Sequence, residues 1–65
     1  MTVLNVKEMA CEHCVKRITD VLTAAGLKFE VNLADKTVSV DGDEAAVKLA
    51  ISEMDDIGFT AQAAN

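Results

Sequence analysis

Short apolar patterns of two different periods follow one another in this chain, and their order limits the fold it can adopt. From Thr2 to Lys7, Leu4 and Val6 face one way while Asn5 and Lys7 face the other, as in a half-buried strand. From Val15 the period changes. Val15, Ile18, Leu22 and Ala25 recur at helical spacing with Val21 beside them, and Gly26 stands where a left-handed terminator belongs, so a helix is predicted over about residues 12–25. Leu27, Phe29, Val31 and Leu33 then alternate with Lys28, Glu30, Asn32 and Ala34. Asp35 and Lys36 read as a turn, and Val38 and Val40 alternate with Thr37, Ser39 and Asp41, completing a hairpin. Asp43 suits a helix N-cap and Glu44 the first turn. Val47, Ala50, Ile51, Met54 and Ile57 form the apolar stripe of that helix, which Gly58 ends. Asp55 and Asp56 oppose the helix dipole there, a local conflict. Phe59, Ala61 and Ala63 give a short last strand.

Every one of these elements is apolar on one side only. Laying both helices on one face of a four-stranded antiparallel sheet buries all the stripes together. The expected class is therefore α+β, a ferredoxin-like βαββαβ sandwich forming a single domain over residues 1–65. A chain of this size buries only about 60% of its unfolded surface. With two aromatic residues, Phe29 and Phe59, the core has to come from Val, Leu, Ile, Ala and Met.

Charge narrows the partners. Residues 1–40 carry five bases and five acids, whereas residues 41–65 carry one base and six acids, giving the whole chain a net charge of −5. A net acidic domain repels phosphate backbones, and the strand aromatics that stack bases are missing, so nucleic acid is not an expected partner. No run is long or apolar enough for membrane insertion. The start, MTVLNVKEMA, lacks the basic and apolar regions of a signal peptide, so a cytoplasmic location is expected.

The chemistry concentrates in MACEHC, residues 9–14, which holds both cysteines and the only histidine. Cys11 falls in the loop after the first strand and Cys14 in the first turn of the helix. A helix N-terminus offers unpaired N–H groups and partial positive charge, which favour the thiolate over a thiol of ordinary pKa ~8.5. Thiolate character suits metal binding and redox chemistry alike. A disulfide staple would close a very short loop in a chain with no other cysteines. A thioredoxin-like motif conflicts with the short chain and the absence of any proline. A closed zinc site needs four ligands, and His13 diverges from Cys14 on a helix start; Glu8 and Glu12 are the available carboxylates. An open two-thiolate site fits best. Such a site selects soft ions such as Cu(I) and leaves room for an incoming thiolate during transfer.

A short strand, Met-x-Cys-x-x-Cys, then helix, hairpin, helix and strand resembles the heavy-metal-associated domain. The likeness spans essentially the whole chain and is strongest in MACEHCVKRI, VNLADKTVSV and MDDIGF. In size and motif it is nearest to bacterial copper chaperones of the CopZ type; the same domain is repeated in copper-transporting P-type ATPases. The resemblance implies that Cys11 and Cys14 bind Cu(I), with Ag(I), Hg(II) or Zn(II) as other ions. It implies a non-enzymatic chaperone that passes the ion to the metal-binding domain of such a pump. The chain would be a monomer without metal and capable of a metal-bridged dimer. The other readings are an excised pump domain, or a mercury- or zinc-handling detoxification protein of the same fold.

Individual positions carry further expectations. Met9 matches the family methionine that packs beneath the loop. Ala10 stands where zinc-pump domains often carry Asp, which tilts the choice toward Cu(I). His13 resembles the CxHC form of bacterial chaperones. It is read either as a solvated helix-start residue or as one that tunes the cysteines, exchanges protons or contacts a second copy. Phe59 replaces the Tyr or Lys of chaperones and is read as a core anchor, an apolar lid over the metal, or both. Glu8 stands where the family usually has Gly. AAGLKFEV is shorter than the usual helix-to-strand connection, so a tight turn is expected there. Glu8, Ala10, Glu12, His13, Lys16 and Arg17 form the expected docking rim.

Overall fold

A computed structural model describes residues 1–64. Its elements are β1 (Thr2–Val6), α1 (Glu12–Ala24), β2 (Lys28–Asn32), β3 (Thr37–Asp41), α2 (Glu44–Asp56) and β4 (Ala61–Ala63). The strands form one antiparallel sheet in the order β2-β3-β1-β4. This is the ferredoxin-like βαββαβ arrangement.

The period-two and period-3.6 faces meet in one core. Leu4, Val6, Val38, Val40 and Ala61 point from the sheet toward Ile18 and Leu22 of α1 and Ala50 and Met54 of α2. Phe29 and Val31, on the edge strand β2, are half-buried against the same cluster. Two expected positions differ. Leu33 packs against the core as expected, but from the hairpin turn rather than from a strand, and there the Lys36 N–H donates to its carbonyl at 3.2 Å. Ala63, opposite Leu4 on the edge strand, is exposed.

The hairpin turn is organised by Asn32. Its side-chain oxygen accepts the Asp35 N–H at 3.1 Å, a turn that Asn forms readily. Lys36 closes the turn with a φ of 56°, an uncommon backbone state for a residue with a side chain.

Both helices end in the same way. After α1, the Gly26 N–H bonds the Thr23 carbonyl at 3.0 Å and the Leu27 N–H bonds that of Leu22 at 3.2 Å. After α2, Gly58 bonds Asp55 at 3.0 Å and Phe59 bonds Met54 at 2.9 Å. Each pair of bonds is a Schellman motif with glycine at positive φ, 76° for Gly26 and 91° for Gly58. The motif explains the three-residue connection from α1 to β2. It also explains Phe59: the residue after the terminating glycine turns inward, and Phe59 is 5% exposed.

The conflict at Asp55 and Asp56 is answered from the other helix. Arg17 of α1 donates from its guanidinium to the Ile57 carbonyl at 3.3 Å, bringing positive charge to the negative end of α2. The same guanidinium lies 5.7 Å from the centre of the Phe59 ring, within cation–π range.

Candidate metal site

The loop between β1 and α1 is fixed from below. The Met9 N–H donates to the Val6 carbonyl at 3.1 Å, and the Met9 side chain is fully buried in the core. Ala10 and Cys11 follow at the surface, and α1 begins with Cys11 as its N-cap. Its backbone is extended, with φ −152° and ψ 170°, and its side chain makes no capping hydrogen bond. The first helical bond is from the Val15 N–H to the Cys11 carbonyl at 3.2 Å. The earlier N–H groups of the helix are therefore left without an intrahelical partner beside the two sulfurs.

Cys11 is exposed and Cys14 is half-buried; both are free thiols. Their sulfurs lie 3.6 Å apart. A metal–thiolate bond is about 2.3 Å, so one ion can bridge two sulfurs up to about 4.6 Å apart. The Cys14 thiol is held below its usual range. The Ala10 backbone is the largest cause, followed by the hydrogen bond shared with the Cys11 thiol; the Cys11 backbone and the Arg17 charge add to it, while burial opposes. The loop preceding the helix thus contributes to the thiolate environment, alongside the helix terminus that sequence reasoning emphasised.

The remaining site residues divide by what they touch. Ala10, Glu12 and His13 are exposed around the sulfurs. Lys16 pairs with Asp20 at 3.0 Å one turn along α1. Arg17 turns away to the end of α2, as described. Phe59 is in the core beneath that guanidinium. Glu8 reaches across the sheet end, where its Oε1 accepts the Thr60 N–H at 3.2 Å. Its carboxyl is held below the usual range, first by its own backbone N–H, then by the Thr60 N–H and hydroxyl and the Lys7 charge, with burial opposing. The role of Thr60 was not visible in the sequence, because the contact spans 52 positions. Among the described residues, no group of three or more His, Cys, Asp or Glu side chains is placed to hold an ion together. Among those residues, too, no helix is long and apolar enough to cross a membrane.

The comparisons with known proteins agree with the fold. A heavy metal binding protein from Thermotoga maritima superposes with a TM-score of 0.83 at 28% identity, covering 92% of this chain and 88% of that one. The oxidised form of MerP from Ralstonia metallidurans CH34 superposes with a TM-score of 0.84 at 19% identity, covering 98% and 94%. A gold binding protein gives 0.83 at 15% identity, covering 97% and 98%. At those identities the last two report on the fold alone. No curated protein sequence matches the chain significantly. The profile of the heavy-metal-associated domain matches residues 3–60, and the chain belongs to that family.

Proposed function

We propose that this protein is a Cu(I) metallochaperone, a carrier rather than an enzyme, acting in the reducing cytosol. Cys11 and Cys14 bind the ion as thiolates and hand it by ligand exchange to the metal-binding domain of a copper-transporting P-type ATPase. The observation that carries this reading is the pair of free thiols 3.6 Å apart at an uncapped helix N-terminus. Two soft ligands suit Cu(I), which accepts low coordination, whereas zinc in structural sites asks for four. Glu8, one of the two carboxylates near the site, is occupied by Thr60.

Exposure of Cys11 supports transfer over storage. An incoming thiolate reaches the ion from the surface and displaces one sulfur at a time through a three-coordinate intermediate. Two thiolates and one Cu(I) leave a charge of −1. The helix terminus, with its unpaired N–H groups and partial positive charge, favours such a charge. Binding releases protons, so apparent affinity rises with pH until both thiols are ionised. The exposed Ala10, Glu12 and His13, with the outer parts of Lys16 and Arg17, are the proposed docking rim.

The test is an anaerobic Cu(I) titration against a competing chelator. Wild type should bind tightly, and Cys11→Ser/Cys14→Ser should lose binding. Equal binding by the double variant overturns the assignment. Competition at fixed free Cu(I), Ag(I), Hg(II) and Zn(II) then orders the ions, and a preference for Hg(II) or Zn(II) over Cu(I) moves the chain to the detoxification reading.

A further inference from the structure

Glu8 lies three residues before Cys11, and Arg17 lies three residues after Cys14. Both side chains are fastened to the same short segment, residues 57–60. Glu8 Oε1 accepts the Thr60 N–H at 3.2 Å, and the Arg17 guanidinium donates to the Ile57 carbonyl at 3.3 Å. The segment is itself fixed at both ends. The Phe59 N–H is bonded to Met54 at 2.9 Å with its ring in the core, and Ala61 pairs with Val6 of β1. It serves as a splint, and the cysteine loop is tied to it on both flanks by side chains of opposite charge.

We propose that Glu8 is a positioning residue for the cysteine pair, strapping the metal loop to the segment that leads into β4. The inference rests on the reading of Cys11 and Cys14 as the metal-binding pair. The reasoning is one of preorganisation. On the β1 side, the loop is held by one backbone bond, from Met9 to Val6, and by the buried Met9 side chain. The backbone bond closes the Lys7-Glu8 turn locally, but neither of these ties that turn to the segment before β4. The Glu8 strap makes that link before the ion arrives, so binding does not have to. It acts as a hydrogen-bond acceptor, since the groups Thr60 offers it, an N–H and a hydroxyl, are neutral donors. A glutamine, whose side-chain oxygen also accepts, should therefore substitute for it.

The experiment compares wild type, Glu8→Gln and Glu8→Ala with two readouts. The first is amide hydrogen exchange at Thr60 in the metal-free chain. Glu8→Ala should speed it about tenfold, while Glu8→Gln stays close to wild type. The second is Cu(I) affinity by chelator competition. Glu8→Ala should weaken binding about threefold to fivefold, the effect of one exposed hydrogen bond, and Glu8→Gln should restore it. Unchanged Thr60 exchange in Glu8→Ala overturns the strap. Faster exchange with unchanged affinity overturns its positioning role, and equal weakening in both variants assigns the effect to charge instead. Cys11→Ser/Cys14→Ser run in parallel separates the two readings: if it binds Cu(I) like wild type, the metal assignment fails, while the exchange readout still judges the strap.

Discussion

The two helices leave the structure alike and begin it differently. Each ends in a Schellman turn with glycine at positive φ. At its start, α2 has Asp43, whose Oδ1 accepts the Ala46 N–H at 3.1 Å. The α1 start has Cys11, with no side-chain capping bond. Asp is among the best N-caps, whereas a thiol is a weak acceptor. The fold thus satisfies three of its four helix termini by ordinary means and leaves the fourth open beside two sulfurs. Its unpaired N–H groups are the partners an anionic thiolate–metal centre would take. Without a local cap, that terminus depends on support from elsewhere, which comes from Met9 below and the splint at residues 57–60.

The largest expected effect tests that support. Met9→Ala removes a fully buried side chain beneath the loop and should cost about 2–5 kcal/mol in urea denaturation. Met9→Leu keeps the volume and should cost less than about 1.5 kcal/mol. If Met9 serves only as packing, Met9→Leu also keeps wild-type Cu(I) affinity; a clear loss in that variant would show that its sulfur reaches the ion.

A smaller effect tests the conventional helix start. Asp43→Ala should cost about 1 kcal/mol, the usual value of an N-cap. It should leave Cu(I) affinity unchanged, because α2 begins at the end of the molecule away from the cysteines. No measurable loss of stability would remove the contrast between the two termini.

Much of this was legible in the sequence, because amphipathic period and capping chemistry are local properties. The six elements follow from alternation and helical spacing, and Gly26, Gly58 and Asp43 mark helix limits through their own backbone or side-chain chemistry. The MACEHC loop placed the two sulfurs at a helix start for the same reason. What escaped was the use of long, exposed charged side chains. Arg17 and Glu8 read as members of a docking rim, yet both reach residues about 40 or more positions away in sequence. Their bonds at 3.3 and 3.2 Å run to a carbonyl and an N–H of the backbone, groups that every non-proline residue carries. Arg17 also accounts for Asp55 and Asp56, whose conflict with the α2 dipole has no local answer. Glu8, whose side chain departs from the family glycine, makes a contact that glycine could not.

The last prediction gives α1 the start that α2 already has. Cys11→Asp places a strong acceptor at the N-cap and favourable negative charge beside the helix N-terminus. The backbone of Cys11 is already extended, as a capping residue requires, so no rearrangement is needed. The metal-free variant should gain about 0.5–1 kcal/mol of stability, read from the urea midpoint at unchanged slope. It should also lose tight Cu(I) binding, because one soft ligand is gone. Gain in one property with loss of the other is the pattern expected where a site is kept at the expense of a better local interaction. If Cys11→Asp is no more stable than wild type, the open terminus is not a deficit of the metal-free fold, and the difference between the two helix starts lies only in which side chain happens to stand there.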